Sequence, residues 1–468
     1  MWTNTYVGPG NSGDFVTATA VDSSGNVFVT GYSLNQSSFT SASYATVGYS
    51  TTGVPLWTNL YNGSTNDYSR GLAIAVDGSG NVVVAGKSYA GAGSNSFDTI
   101  KISSAGAPIW TNRQPVPGSV AGPCAVAVDA SGKVFLATIA GLAAYSSGGA
   151  LLWTNNDIAA AAAALDGGGN LIVTERTTIG LGPGGYRTTK FSNDGAPLWT
   201  NLYHDEVNGN ATPKAIAVDS DGNVFVTGTS FTGTNYYFAT VGYSAAGVPL
   251  WTNRYNRPGG SDDRAIAIAV DGRGNVFVTG QSCTKFNSTV FSDYRYATVA
   301  YASAGTPLWT NLYDGSSSGS ESCAIAADTS GNVFVTGLSY LNEFGFTTVA
   351  YSAVGAPLWT NSYNSLSGAN NTPVVAADRA GNVFVTGESG PGLVPGFHYT
   401  TLKYSSSIPA RLDFQRVDAQ LVLTWTNVGF NLQFAPSAAG TFTNIAGATS
   451  PYTHSLLGGA GYFRLQGS

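Results

Sequence analysis

Nine tryptophans occur in this chain of 468 residues, and each of them opens the tripeptide Trp-Thr-Asn. Eight of the nine recur at intervals between 43 residues (Trp110 to Trp153) and 58 residues (Trp251 to Trp309). The same phrases return in the same order between them, as in an array of self-similar units. One such unit cannot bury its apolar faces alone, so neighbouring units must stack. The tripeptide therefore constrains the fold far more than it constrains the function.

Each unit contains four short phrases with the composition of β-strands. In the first unit they are 20–22 (Ala-Val-Asp), 26–31 (Asn-Val-Phe-Val-Thr-Gly), 45–50 (Ala-Thr-Val-Gly-Tyr-Ser) and 55–61 (Pro-Leu-Trp-Thr-Asn-Leu-Tyr). Such phrases are rich in Val, Ile, Thr, Phe and Tyr and are bounded by Gly, Asn, Asp or Ser, which is typical of strands separated by turns. The pattern predicts an all-β chain with four strands per unit.

The connections between these strands are of two kinds. Residues 22–26 and 51–55 are short, contain Gly and predict tight hairpins, because Asp bonds to the turn backbone and Gly accepts a positive φ. The segments 32–43 and 62–71 are long, and their counterparts differ between units. Since strand direction alternates, both long connections emerge on one side of the sheets, here called the long-loop side, and both hairpins on the opposite, tight-turn side.

The order of the strands is permuted around the chain. The chain begins with a fourth strand at Trp2–Tyr6, and the last unit, ending near Ser405, has no Trp-Thr-Asn strand of its own. We therefore predict that residues 1–407 form an eight-bladed β-propeller of four-stranded blades, closed by the N-terminal strand in the last blade. The alanine run 159–164 occupies a first-strand position and is predicted to be a strand.

These phrases resemble a known repeat family. The pattern Ala-x-Ala-Val-Asp-x-x-Gly-Asn-Val-Phe-Val-Thr-Gly followed by Ala-Thr-Val-Gly-Tyr-Ser, as at 73–86 and 239–244, is similar to the bacterial β-propeller repeat called SBBP and more loosely to the NHL repeat. The resemblance covers residues 2–405. It implies that the Ala-Val-Asp strand lines a central channel and that the Trp-Thr-Asn strand lies outermost, and it says almost nothing about activity.

Residues 408–468 fall outside the repeat. Apolar runs at 421–425, 430–434, 441–445 and 462–465 predict a small antiparallel β module, similar to a sandwich. This segment resembles C-terminal modules of secreted proteins from environmental, Verrucomicrobia-like bacteria.

Composition excludes several classes of partner. Charged residues make up 10% of the chain, the net charge is −6 and no basic cluster occurs, which argues against nucleic acid and anionic membrane surfaces. No apolar stretch approaches the roughly 20 residues that span a bilayer. Met1 leads directly into a strand without a signal peptide, but the Gly-, Ser-, Thr- and Asn-rich composition is typical of exported proteins. We expect a monomer that is secreted or displayed at the cell surface, with its export signal outside this chain.

Catalytic motifs are weak, and we predict no catalytic residues. Residues 8–13 match the dinucleotide pattern G-x-G-x-x-G but lie between strands, with no helix to receive a phosphate. Residues 315–319 match a nucleophile elbow without the strand-to-helix turn that it requires. His204, His398 and His454 fall in separate parts of the pattern and do not converge. No cofactor is predicted, apart from the cation considered next.

Acids and amides recur near the start of the first strands, on the long-loop side. A ring of such oxygens would suit a hydroxyl-rich sugar or a hard cation such as Ca²⁺, whereas the alternative is that they cap turns and solvated loops. The candidate ligand-binding residues are Asp14, Asp67, Asp157, Asp262, Asp263, Glu321, Asn210 and Asn370. A Ca²⁺ site would draw on Asp14, Asp67, Asp263 and Glu321.

Aromatic residues from the variable loops gather on the same side. Aromatic faces combined with amides are common in carbohydrate- and protein-binding sites, while packing in a seam between blades is the alternative. The candidates are Tyr32, Tyr89, Phe231, Tyr236 and Tyr237.

Three functions remain open. The leading hypothesis is a non-enzymatic binding scaffold whose long-loop side engages a glycan or protein. The second is a polysaccharide-acting hydrolase or lyase that uses two long-loop carboxylates as acid and base. The third is a structural or adhesin component of the cell surface. Fold alone does not decide among them, because propellers host unrelated activities.

Overall fold

The computed structural model is made of β-strands. Its described residues form thirty-eight strands and no helix, which confirms the all-β prediction. The contacts divide the chain into two compact units, Met1–Tyr404 and Ser405–Ser468. The structure describes residues 1–35, 41–63, 68–90, 94–116, 123–178, 184–205, 210–231, 233, 235–259, 262–285, 291–314, 320–339, 345–364, 373–390, 396–405, 412–417, 420–424, 430–437, 440–445, 447–455 and 461–467.

The described strands of the N-terminal unit fall into eight repeats of four, numbered by the order of their first strands. The first strands are β2 (Asp14–Val21), β6 (Tyr68–Val76), β10 (Pro123–Val128), β14 (Ala160–Leu165), β18 (Asn210–Val218), β22 (Asp262–Val270), β26 (Ser320–Ala327) and β30 (Val374–Ala377). The second strands are β3 (Val27–Leu34), β7 (Val82–Ala90), β11 (Val134–Thr138), β15 (Leu171–Thr178), β19 (Val224–Phe231), β23 (Val276–Lys285), β27 (Val333–Ser339) and β31 (Asn382–Ser389).

The outer half of each repeat is built from two further strands. The third strands are β4 (Ala42–Tyr49), β8 (Ser94–Ile102), β12 (Gly141–Tyr145), β16 (Gly184–Phe191), β20 (Tyr236–Tyr243), β24 (Phe291–Tyr301), β28 (Gly345–Tyr351) and β32 (His398–Ser405). The fourth strands are β5 (Pro55–Tyr61), β9 (Pro108–Val116), β13 (Leu151–Asn155), β17 (Pro197–Tyr203), β21 (Pro249–Tyr255), β25 (Pro307–Tyr313), β29 (Pro357–Asn364) and β1 (Trp2–Tyr6).

The N-terminal strand pairs with the last repeat. Strands within a repeat pair antiparallel in the order first, second, third, fourth, and in repeat 8 the order is β30-β31-β32-β1. The β1–β32 ladder runs from Trp2 opposite Lys403 to Tyr6 opposite Tyr399. The two ends of the repeat array are thus joined in one four-stranded sheet.

An aspartate organises each hairpin between a first and a second strand. In repeat 1 the Asp22 carboxylate accepts the backbone N–H groups of Ser24 and Asn26, both at 2.8 Å, and the Asn26 side-chain amide. Gly25 supplies the positive φ of 79° that the turn needs. The turn phrase is therefore a self-contained hydrogen-bonding unit, as the sequence indicated.

Apolar side chains of neighbouring repeats meet in buried clusters. Between repeats 1 and 2, Phe28 and Tyr44 pack with Val82 and Val84. Every other pair of neighbours shares a comparable cluster, and repeats 8 and 1 share one that contains Phe384. Burying one such side chain contributes about 1.5–3 kcal/mol, so the stability of each repeat depends on its neighbours.

The Trp-Thr-Asn tripeptide fastens each repeat to the next. The Trp57 indole N–H donates to the Ser104 carbonyl at 2.9 Å, and the Asn59 amide donates to the Gly106 carbonyl at 3.3 Å. The indole ring also lies over Gly106, whose φ is 86°. Equivalent indole hydrogen bonds run from Trp2, Trp110, Trp153, Trp199, Trp251 and Trp309 to Thr51, Ser147, Asn193, Ala245, Ser303 and Ala353, respectively.

Trp359 departs from this pattern. Its indole nitrogen is buried and has no hydrogen-bond partner within the described part of the chain. The hairpin turn that would accept the bond is missing from repeat 8, because its fourth strand comes from the other end of the chain.

The C-terminal unit contains two three-stranded sheets. Their orders are β33-β34-β37 and β36-β35-β38, and Leu423 and Leu432 are the buried centre of its apolar cluster. The strands are β33 (Asp413–Val417), β34 (Gln420–Thr424), β35 (Phe430–Ala435), β36 (Thr443–Asn444), β37 (Tyr452–Ser455) and β38 (Tyr462–Gly467).

Gly106 offers a direct test of the tripeptide contact. A Cβ at this position would lie 2.6 Å from Cγ of Trp57 while the backbone holds a positive φ. We expect Gly106→Ala to lower the free energy of unfolding by about 2 kcal/mol or more, measured by chemical denaturation. Gly259→Ala is the matched control, since Gly259 also has a positive φ, of 72°, and nothing lies within 4 Å of its Cβ position. Equal losses in the two variants would contradict a specific role for the Trp57–Gly106 contact.

Candidate functional site

Two seams between repeats are bridged on the long-loop side. Ala42 of β4 pairs with Tyr68 of β6, and Tyr236 of β20 pairs with Asp262 of β22, each as a single parallel bridge. These bridges bring the start of a third strand next to the start of the following repeat's first strand. The aromatic and charged side chains described below lie around these two places.

A row of aromatic rings lines the first of these seams. We call Phe15, Tyr32, Tyr68 and Tyr89 the tyrosine row. Phe15 and Tyr32 are stacked with their ring centroids 4.7 Å apart, and the distances from Tyr32 to Tyr68 and from Tyr68 to Tyr89 are 6.1 and 6.5 Å. Phe15 is buried, whereas the three tyrosines are half-buried. Tyr32 and Tyr89, both expected on this side, therefore lie in one row with Tyr68 between them.

Cationic groups lie against the tyrosine row. Cζ of Arg70 lies 4.7 Å from the ring centroid of Tyr32 and 4.4 Å from that of Tyr68, and its Nη2 donates to the Tyr68 hydroxyl at 2.7 Å. Nζ of Lys87 lies 4.3 Å from the ring centroid of Tyr89. These are cation–π contacts, which stabilise both the ring and the cation.

A fully buried carboxylate holds the strands near this row. Asp98 accepts hydrogen bonds from the hydroxyls of Ser88, Ser96 and Tyr61 at 2.8, 2.7 and 2.9 Å, and it forms an ion pair with Arg113. Tyr61 belongs to repeat 1 and the other residues to repeat 2, so the network ties the two repeats together. Burial and the nearby Asp98 charge raise the pKa of Tyr61.

The second seam carries a smaller cluster of the same kind. The rings of Phe231 and Tyr236 lie 4.6 Å apart, and Cζ of Arg264 lies 4.3 Å from the ring centroid of Tyr236. The Arg264 guanidinium forms two hydrogen bonds with the Asp262 carboxylate, at 2.5 and 3.0 Å. Asp262 is therefore engaged with a cation of its own strand.

Tyr237 differs from the expectation. It is 4% exposed and belongs to the buried cluster between repeats 4 and 5 rather than to the surface. Successive strand residues point to opposite faces, so Tyr236 and Tyr237 cannot both face the same side, and the seam takes Tyr237.

Two of the predicted acids are buried and serve as clamps for the preceding loop. Asp14 is 1% exposed, and its Oδ2 accepts the Gly8 backbone N–H at 2.9 Å and lies 3.1 Å from Nδ1 of His398. Oδ2 of Asp263, in the same register of repeat 6, accepts the Arg257 backbone N–H at 2.9 Å. These positions correspond to turn capping, the alternative considered from the sequence, rather than to a solvent-facing ligand site.

The remaining predicted residues do not converge with them. Asp157 is exposed in repeat 4, and Asn210 is exposed in repeat 5, where its side-chain oxygen accepts from Arg176 at 2.9 Å. Asp67, Asn370 and the side chain of Glu321 lie outside the described residues. Within the part of the chain that the structure describes, no three acids, cysteines or histidines are grouped as a metal site would require. The Ca²⁺ site stays a prediction, because two of its four residues are not described.

Two cavities lie on the tight-turn side, with volumes of about 310 and 450 Å³. The first is lined by three of the turn aspartates, Asp22, Asp77 and Asp378. These carboxylates already have hydrogen-bond or ion-pair partners. Both oxygens of Asp22 accept hydrogen bonds from its own turn, and Asp77 also forms an ion pair with Lys101 at 2.9 Å. These cavities are a consequence of the turns, and the long-loop side remains the better candidate.

Sequence reasoning missed Tyr68, Arg70 and Asp98. The sequence contained a signal for each of them. Asp98 occupies the third-strand position at which repeat 1 has Ala45. Tyr68 and Arg70 lie nine and seven residues before Asp77, as Asp262 and Arg264 lie before Asp271. The departures of single repeats from the consensus mark these residues.

Asp263 predicts a pH dependence of stability. Burial raises the pKa of its carboxyl above the ordinary value of 3.8. In the unfolded chain the Asp263 carboxyl therefore loses its proton at a lower pH than in the folded protein. The contribution of Asp263 to stability falls as pH rises above 3.8 and is lost once pH passes its pKa in the folded protein. Asp263→Asn keeps an acceptor for Arg257 and removes the ionisation.

We expect the stability of Asp263→Asn relative to the wild type to increase from pH 4 towards neutral pH. Urea unfolding across this range measures it, with Asp157→Asn as a control for removal of an exposed charge. A constant difference between Asp263→Asn and the wild type at all pH values would show that the burial of Asp263 does not oppose its ionisation.

Comparisons with known proteins bear on the fold. Residues 207–234, in repeat 5, match the family model described as a beta-propeller repeat. A search of curated protein sequences gives no significant match.

Solved structures that match parts of this chain include three of different origin. A protein of unknown function from Bacteroides caccae is 12% identical, with 57% of this chain and 90% of that chain covered and a TM-score of 0.32. The Pan2 WD40 domain of Neurospora crassa is 7% identical, with 74% and 90% covered and a TM-score of 0.42. A gluconolactonase from Xanthomonas campestris is 13% identical, with 58% and 82% covered and a TM-score of 0.32. Similarity at this level carries no inference about activity.

The repeated phrases, the four-stranded repeats and the matched family model agree with one another. The chain is a β-propeller repeat protein.

Proposed function

We propose that this protein is a secreted or cell-surface binding scaffold, without enzymatic activity, whose long-loop side holds a glycan. The observation that carries the proposal is the tyrosine row, in which three half-buried tyrosines follow one another across the seam between repeats 1 and 2. Tyrosine combines a flat apolar face with a polar hydroxyl and loses little conformational entropy on binding. Such rings suit the flat, hydroxyl-edged faces of sugars.

The acids support a binding role over a catalytic one. General acid–base hydrolysis of a glycoside needs two accessible carboxyl groups beside the bond that is cleaved. Of the predicted acids whose side chains are described, Asp14, Asp262 and Asp263 are buried and hydrogen-bonded. The exposed Asp157 belongs to another repeat, so the described side chains beside the tyrosine row include no pair of accessible carboxyl groups.

The architecture that we propose is a closed ring of eight four-stranded blades. The pairing of β1 with β32 supports it, as does the apolar cluster shared by repeats 8 and 1. In such a ring the long-loop side would be a rigid rim on which the variable loops of all blades meet. A rigid rim limits the entropy that ligand binding costs, and a monomer suffices to present it.

The binding proposal predicts the effect of two substitutions. A glycan array would identify ligands, and isothermal titration calorimetry would measure their affinity. We expect Tyr32→Ala and Tyr89→Ala each to weaken binding by about tenfold or more, as truncation of central aromatic contacts does. Leu56→Ala is the control, because Leu56 is 44% exposed on the outer strand of repeat 1.

Three results would count against the binding proposal. Absence of any glycan ligand would remove it, and binding of a protein instead would replace the glycan with the other ligand class. Shortened products after incubation with a bound polysaccharide would favour the hydrolase or lyase alternative.

The ring proposal predicts that the N-terminal strand is essential. Removing residues 1–8 deletes β1 together with Trp2, whose ring packs on Phe384 and Tyr49. Trp2 is partly buried and its loss removes part of the about 3–5 kcal/mol that a fully buried tryptophan contributes, so we expect a lower unfolding temperature and faster hydrogen exchange over residues 373–405. Unchanged stability in the truncated protein would refute closure by this strand.

A further inference from the structure

Arg70 is a cation without a carboxylate partner in the described structure. Its guanidinium lies against the rings of Tyr32 and Tyr68, and within the described part of the chain its one hydrogen bond is to the Tyr68 hydroxyl. Among the described residues its buried Nε has no hydrogen-bond partner, and none of the ion pairs includes Arg70. A buried donor that is left unsatisfied is costly, and the described residues offer this guanidinium no anion.

At the equivalent position in repeat 6, a carboxylate of the same strand compensates the charge of the arginine. Arg264 occupies the same register and also lies against a tyrosine of the preceding repeat, Tyr236. Asp262, two residues upstream, accepts two hydrogen bonds from the guanidinium. In repeat 2 the residue two positions upstream is Tyr68. The internal anion of repeat 6 is therefore replaced in repeat 2 by a neutral aromatic residue.

A second basic residue lies beside Arg70. Lys87 is the cross-strand neighbour of Arg70 in the β6–β7 ladder and is 5% exposed. Like charges placed directly opposite each other are unfavourable. The chain as a whole carries a net charge of −6, so attraction of an anion here would be local rather than a property of the whole surface.

We infer that the glycan bound by the tyrosine row carries a carboxylate, as a uronic acid does, and that Arg70 binds this carboxylate. The inference rests on the proposed glycan-binding function and narrows its ligand class. A guanidinium recognises a carboxylate by charge-assisted, frequently paired hydrogen bonds. The rings of Tyr32 and Tyr68 lie against the guanidinium, and the terminal N–H groups that do not bond to Tyr68 would donate to the acid, while the tyrosine row contacts the sugar rings.

The test compares acidic glycans with their neutral counterparts. The probes are oligosaccharides of galacturonic, glucuronic and mannuronic acid, each as the acid and as its methyl ester, together with a sulfated neutral galactan. The variants are Arg70→Gln, which removes the charge, and Arg70→Lys, which keeps the charge but not the planar fork. Arg264→Gln is the matched control, because its guanidinium already has a partner in Asp262. Thermal unfolding of each variant verifies that it is folded.

We expect the wild type to bind at least one uronic acid oligosaccharide about tenfold or more tightly than its methyl ester, which is the range for hydrogen bonds to charged groups. Arg70→Gln should remove this preference while keeping the affinity for the ester. Arg70→Lys should keep part of the preference, and Arg264→Gln should keep all of it.

The outcomes separate the two proposals. Equal binding of acid and ester, weakened in both by Tyr89→Ala, would overturn the inference about Arg70 and leave the glycan-binding function standing. A preference for the sulfated galactan over every uronic acid would overturn the choice of a carboxylate. Absence of binding to all of these probes and to a neutral glycan array would overturn both proposals.

Discussion

The contact on which the rest of the N-terminal unit depends is the one between a Trp-Thr-Asn strand and the outer hairpin of the next repeat. The indole ring lies on a glycine with positive φ, and the indole and amide N–H groups donate to the backbone of the same turn. Only glycine can occupy such a turn without strain while allowing an aromatic ring to approach so closely. The tripeptide of one repeat and the hairpin glycine of the next therefore form one contact, here called the joint. This explains why both recur in every repeat that has this hairpin.

This joint has a direct consequence for the ends of the array. Trp2 makes it with Thr51 and Gly53 although it belongs to the last repeat, so the first and last repeats are held by the same contact as any other pair. Trp359 has no such partner among the described residues, and repeat 8 receives its fourth strand from the N-terminal end of the chain rather than from a hairpin. The permutation of strands thus distinguishes the Trp359 indole from the other indoles of the array in the described structure.

Polar side chains on the two sides of the sheets have different hydrogen-bond partners. On the tight-turn side the repeated aspartates are satisfied by the turns that they organise, as Asp22 is by Ser24 and Asn26. On the long-loop side Asp14 and Asp263 hold the preceding loop in the same way, whereas Asp98 joins two repeats. Among the described side chains around the first seam, those half-exposed to a ligand are aromatic and cationic, and this chemistry underlies the proposal of a binding function.

The sequence by itself determined the strands, their hairpins, the permuted fourth strand and the side on which the long connections gather. These features follow from local composition and turn chemistry, which act over a few residues and repeat along the chain. The fate of individual side chains at the strand ends was decided by the tertiary structure. Tyr237 was expected at the surface and lies in a seam, and Asp14 was expected to face a ligand and caps a loop. The pairing of Arg70 with Tyr32 joins two repeats, and only the packing of one repeat on the next brings such residues together.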